Sequence, residues 1–179
     1  MEFKGSKTEA NLMAAFAGES QARNKYTYYG AKARQDGYEQ IGDIFDMTAA
    51  NEKEHAEIWF KLLHDNAMPG TAVNLPDAVA GEHYEHSEMY PEFAKAAREE
   101  GFEKIARLFE LVAAIEKEHE DRFNALYKNL QDGQVFSRPT SQTWVCRNCG
   151  FIMEGAKPPA QCPVCSKPQS YFELQAENY

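Results

Sequence analysis

Two pairs of residues and one quartet are the parts of this chain that can do chemistry. Glu52 and His55 stand three residues apart, as do Glu116 and His119, and Cys146, Cys149, Cys162 and Cys165 crowd near the C-terminus. At a spacing of i, i+3 both side chains leave one helical face, so each Glu-x-x-His pair offers a carboxylate and an imidazole to a single cation. Both pairs continue apolar stripes. Ile41, Phe45 and Thr48 lead to Glu52 and His55; Ile105, Phe109 and Val112 lead to Glu116 and His119. On an earlier stripe Leu12 and Phe16 lead to Glu19 and then Tyr26. A carboxylate on the inner face of a helical bundle is costly unless it is paired or bound to metal. One such pair is an ordinary solvated helix face, whereas two in register with facing glutamates point to a metal.

Elements must hold these residues level. A capping-box pattern, Ser6-x-x-Glu9, opens the first helix, and Gly37 separates it from a second that runs past Trp59 to Leu62. Residues 67–77, with Pro69, Gly70 and Pro76, read as a loop. A third helix covers roughly Ala78 to Glu100, and a fourth follows Gly101. Glu19 lies 18 residues before Gly37, with Glu52 and His55 15 and 18 after it. Glu82 and Glu85 lie 19 and 16 before Gly101, with Glu116 and His119 15 and 18 after it. At 1.5 Å per residue all seven fall roughly 22–29 Å from their turns. That is the ligand arrangement of di-iron and di-manganese carboxylate bundles.

The chain also repeats itself. Gly37 to His55 and Gly101 to His119 share 10 of 19 residues at an offset of 64, while Gly18-Glu19 matches Gly81-Glu82 at 63. The predicted fold is therefore all-α, a four-helix bundle built as a duplicated helical hairpin, with one extra residue between Glu82 and Tyr90. Glu85 has no glutamate counterpart in the first hairpin and stands beside that insertion, so a π-bulge or kink is expected there. Tyr26 and Tyr90 occupy matching positions, suited either to donating hydrogen bonds to ligating carboxylates or to plain aromatic packing. His64, His83 and His86 lack the inward placement and read as surface or supporting residues.

The cysteine tail has a different composition. None of the four cysteines precedes Cys146, and five of the eight prolines fall in the last 41 residues. This divides the chain into a helical domain over 1–130, a linker over 131–143 and a small domain over 144–179. Cys-x-x-Cys repeated after twelve residues suits tetrahedral thiolate coordination of zinc or iron, and spacing alone does not separate the two. Disulfides are the weaker reading in a chain whose N-terminus shows no apolar signal segment.

The remaining composition excludes several partners. A formal charge of −9 disfavours nucleic acid and anionic membranes. The longest apolar run, Leu12 to Ala17, is far short of a bilayer span. The expected setting is soluble and cytoplasmic.

Over nearly its whole length the sequence resembles the rubrerythrins. The resemblance rests on Phe16 to Arg23 (FAGESQAR), both Glu-x-x-His pairs, Gly81-Glu82-His83-Tyr84-Glu85, Met89-Tyr90-Pro91 and the cysteine tail. The tail is similar to a shortened rubredoxin, with Ser166 where a rubredoxin knuckle usually carries glycine. The resemblance implies a ferritin-like di-iron bundle and a rubredoxin-like Fe(Cys)4 domain, with zinc a possible substitute in the tail. It implies a peroxidase that reduces hydrogen peroxide to water in oxidative-stress defence. Glu52 and Glu116 would bridge two non-haem irons, Glu19 and Glu85 would be terminal on one, and Glu82 and His119 on the other. His55 would exchange with Glu85 on reduction. Electrons would arrive one at a time from rubredoxin or a reductase; NADH would act through a separate enzyme, since no nucleotide-binding glycine fingerprint is present. A head-to-tail homodimer is implied as well. Two further readings share these residues: a ferroxidase using dioxygen, and a non-enzymatic protein with a zinc ribbon.

Overall fold

The computed structural model describes residues 2–177. Six helical segments are followed by a small sheet: α1 (Lys7–Gln35), α2 (Glu39–Leu63), α3 (Thr71–Tyr84), a π-helical segment (Glu85–Met89), α4 (Tyr90–Glu99), α5 (Glu103–Gln131), then β1 (Gln142–Cys146), β2 (Ile152–Gly155) and β3 (Phe172–Leu174). The chain divides into two compact units, Met1–Pro69 and Gly70–Tyr179.

The first unit is the hairpin of α1 and α2. Ser6 caps α1 by accepting a bond from the Glu9 N–H at 3.1 Å, and the Glu9 carboxylate takes the Gly5 N–H at 2.5 Å. The helix stops at Gly37, whose φ of 88° only glycine adopts cheaply, and the Tyr38 N–H folds back to the Ala33 carbonyl. Gly30 and Gly42 let the helices close: a Cβ on Gly30 would lie 2.7 Å from Asp46 Oδ1. Arg34 then clamps the turn, reaching Asp46 at 2.7 Å and Glu39 at 3.5 Å.

The helices of the second unit repeat this design. Ala97 and Ala106 are buried as Ala33 and Gly42 are, and the Phe102 N–H folds back to Ala97. Arg98 meets Glu103 at 3.1 Å and Glu110 at 2.8 Å, each 64 positions on from its counterpart in the first clamp. Tyr26 stacks on Phe45 and Tyr90 on Phe109, both with centroids 6.0 Å apart. The duplication seen in sequence is a duplication in space.

Two local features separate the halves. The insertion is absorbed as π-helix over Glu85–Met89, where the Tyr90 N–H reaches back five residues to Glu85. The expected bulge is present. The loop expected over 67–77 is shorter: helix resumes at Thr71, with Pro76 inside it. Proline near a helix start forfeits only a bond to a carbonyl of the first turn, so it did not delay the helix.

The cysteine tail forms a three-stranded sheet of order β2-β1-β3 with both pairs antiparallel. Its core is Trp144, Cys146, Cys162 and Phe172, with the Trp144 indole N–H bonded to the Gly155 carbonyl at 2.9 Å. Arg138 fastens the preceding segment, donating to Asn129 of α5 at 3.1 Å and, through its backbone N–H, to the Ala156 carbonyl at 2.7 Å.

Candidate metal centres

Each helical unit gathers three ligand-type residues. In the first, Glu19, Glu52 and His55 bring their donor atoms within 4.8 Å of one another; in the second, Glu82, Glu116 and His119 do the same. His55 Nδ1 stands 2.9 Å from Glu52 and 3.8 Å from Glu19. His119 Nδ1 stands 2.7 Å from Glu116 and 3.6 Å from Glu82. All four glutamates are partly buried. Hard carboxylate oxygens with one imidazole nitrogen suit iron or manganese, so the donor chemistry of each trio fits half of a di-iron centre.

Glu85 joins the second trio electrostatically. Burial first, then the charges of Glu116 and Glu82, raise its carboxyl above the ordinary range, with His119 opposing. Crowded like charges of this kind are what a cation relieves. The Tyr90 hydroxyl is raised by burial and by the charges of Glu85, Glu116 and Glu82. Tyr26 is placed by its aromatic stack on Tyr29 and Phe45.

A third group escaped the sequence reading. His83 Nδ1 and His86 Nε2 meet opposite oxygens of Glu120 at 3.1 and 2.7 Å, and the Glu120 carboxyl is held low first by His86. His86 lies in the π-helical segment and Glu120 on α5, so the group ties that segment down beside Glu85. The only signal was the His-x-x-His spacing, since Glu120 lies 34 residues from His86.

In the tail all four sulfurs lie within 4.8 Å. Cys146 and Cys165 are 3.7 Å apart, as are Cys149 and Cys162. A disulfide needs about 2.05 Å, whereas thiolates about 2.3 Å from a central ion stand about 3.8 Å apart along a tetrahedral edge. The spacing fits a metal. The Phe151 N–H favours the Cys149 thiolate, but burial and the neighbouring cysteines outweigh it and push that thiol up to about 12. Cys165, helped first by the Lys167 N–H, is held down at about 6. Four thiolates this close require a cation. Gly150 and Ser166 close the two knuckles through bonds to the Cys146 and Cys162 carbonyls, with φ of 76° and 59°.

Comparison with known proteins agrees with this construction. The rubrerythrin family profile matches residues 10–127, and that of the rubrerythrin rubredoxin-like domain matches residues 144–173. Rubrerythrin of Nitratidesulfovibrio vulgaris is 48% identical, covering 98% of both chains. Rubrerythrin-1 of Clostridium acetobutylicum is 47% identical, again over 98% of each. Rubrerythrin of Porphyromonas gingivalis is 46% identical over 98% of this chain and 94% of its own. With paired carboxylate–histidine trios on a ferritin-like helical scaffold and a rubredoxin-like thiolate site, this chain belongs to the rubrerythrin family, whose members bind iron and are generally oxidoreductases.

Proposed function

We propose that this protein is a non-haem di-iron peroxidase that reduces hydrogen peroxide to water, one peroxide taking up two electrons and two protons to give two waters. The observation that carries this reading is the pairing of two matched ligand trios with a separate thiolate centre for electron input. Glu19, Glu52, Glu82, Glu85, Glu116 and His119 would hold the oxidised pair of irons, with His55 replacing Glu85 in the reduced pair. When bound, two ferrous ions supply the two electrons that peroxide cleavage takes, and the Fe(Cys)4 ion supplies a one-electron path for their return.

The protein's own groups account for the rest. Carboxylates outnumber imidazoles and favour the more highly charged oxidised state, while the uncharged imidazole as a ligand type favours the reduced one. Glu85 opens the π-helical segment, an element that the α1–α2 hairpin lacks. The Tyr90 hydroxyl, raised by burial and by Glu85, Glu116 and Glu82, would donate a hydrogen bond to the glutamates. External electrons would come from rubredoxin or an NADH-linked reductase in the cytoplasm, and the working form would be a homodimer. A ferroxidase shares the helical ligands but has no use for the tail.

Steady-state assay with a reductase tests the reading. Peroxide-dependent NADH consumption should occur with the intact protein and stop in Cys149→Ser. Continuous turnover in that variant would remove the relay from the account.

A further inference from the structure

We infer that each di-iron bundle is assembled from two copies of this chain, the α1–α2 hairpin of one pairing with the α3–α5 hairpin of the other. The inference rests on the ligand reading above and adds which chain supplies each half.

Each hairpin leaves an apolar stripe exposed, and the two stripes are the same stripe. Ile44, Met47 and Leu62 are 52, 60 and 39% exposed; their counterparts 64 residues on, Leu108, Leu111 and Leu126, are 60, 46 and 48% exposed. His55 and His119 interrupt these stripes at equivalent positions. Whatever covers a stripe therefore also closes its ligand trio. The best-matched cover for one hairpin is the other, from the same chain or from a second copy.

The connection between them decides. A ferritin-like bundle contains one long crossover, because the second and third helices run parallel and the chain must return along the bundle. Leu63, where α2 ends, lies 8 residues beyond His55, and Thr71, where α3 begins, lies 11 before Glu82. With the ligands level, these ends are about 29 Å apart along the axis and about 9 Å across it, or roughly 30 Å in all. Eight Cα steps join them, about 28 Å if fully extended. The link is not extended. The Ala67 N–H bonds to the His64 carbonyl, and Asp65 and Asn66 have φ of 54° and 60°. A closed four-residue turn spans under about 7 Å, which cuts the reach to about 24 Å. The link is too short to complete a bundle within one chain, yet needs no such reach when the halves come from two.

Complementation tests this directly. Glu52→Ala breaks the first hairpin's trio and Glu116→Ala the second's. Differently tagged chains carrying one change each are co-expressed, and mixed dimers are isolated through both tags. In an exchanged dimer one bundle receives both lesions and the other receives neither, so mixed dimers should hold half the wild-type di-iron while each parent holds none. Mixed dimers without di-iron, or failure of the two chains to associate, would overturn the exchange. A Glu52→Ala parent that keeps half its di-iron would overturn it too, by showing like halves paired. Parents that keep all of it would instead refute the ligand assignment. A metal-independent check is the mass of the apo protein: twice 20.3 kDa for the wild type, falling toward 20.3 kDa when about 12 Gly/Ser residues lengthen the link after Met68. A wild type that is monomeric without metal would contradict the inference.

Discussion

His55 and His119 hold the same position in two copies of one hairpin: each Nδ1 lies close to the glutamate three residues before it, at 2.9 and 2.7 Å, and farther from a glutamate on the hairpin's other arm, Glu19 of α1 at 3.8 Å and Glu82 of α3 at 3.6 Å. What differs is their surroundings. Only the second hairpin carries the extra residue and, with it, Glu85. Under the proposed replacement of Glu85 by His55 on reduction, two histidines of equal geometry would do unequal work.

That inequality is measurable. His119→Ala should lower iron binding in both oxidation states. His55→Ala should leave the oxidised protein loaded and weaken iron retention only after reduction, by at least the roughly 10–100-fold that losing a hydrogen-bonded support of a ligand costs. Iron-to-protein ratios after dialysis, with and without dithionite, check this. Equal losses in both variants would deny the exchange between His55 and Glu85.

The tie between Glu120 and the π-helical segment predicts a second effect away from the ligands. Glu120→Ala removes the acceptor for both His83 and His86. Amide exchange over residues 85–90 should quicken and the melting temperature fall by a few degrees. Glu120→Gln, which keeps an acceptor oxygen, should restore most of the protection. If the alanine variant exchanges like wild type, the tie does not hold the segment.

The knuckle turns predict changes of opposite sign. Ser166 sits at φ 59° without glycine's freedom, and a non-glycine residue there costs about 1 kcal/mol. Ser166→Gly should therefore stabilise the tail by up to about that amount, and Gly150→Ala should destabilise it similarly, strain alone being responsible because nothing crowds a Cβ at Gly150. Chelator challenge followed by absorbance of the iron–thiolate site reads both.

Removing the tail's metal should unfold the tail. Two of its four core residues, Cys146 and Cys162, are themselves ligands, so the core has little left without the ion. Trp144 is fully buried, and its emission should shift to the red on chelation while helical circular dichroism persists. Acid acts in the same direction, since protons compete for the thiolates, and Cys149, pushed up to about 12 without a cation, takes its proton back readily. A tail that keeps a buried Trp144 without metal would show a self-sufficient core.

How much of this was legible in sequence follows the range of each interaction. Glu52 with His55, Glu116 with His119 and the cysteine knuckles are local spacings, and the repeat at an offset of 64 gave the two Glu-His pairs a second witness. The insertion beside Glu85 likewise announced the π-helical segment. The Glu120 group was not legible, because it joins residues 34 apart whose helices meet only in the fold. Pro76 misled in a different way: read as a breaker, it stands inside α3, and the true link is the shorter stretch His64 to Gly70. The match of Tyr26 with Tyr90 is carried into the packing, each ring lying tilted against a phenylalanine, Phe45 or Phe109, at 6.0 Å between centroids.

The measurement closest to the central claim is rapid mixing of the iron-loaded, anaerobically reduced protein with hydrogen peroxide and, separately, with dioxygen. Oxidation by peroxide should be much the faster, at the helical irons first and then at the Fe(Cys)4 chromophore. Faster oxidation by dioxygen, or a tail whose colour never follows, would contradict it.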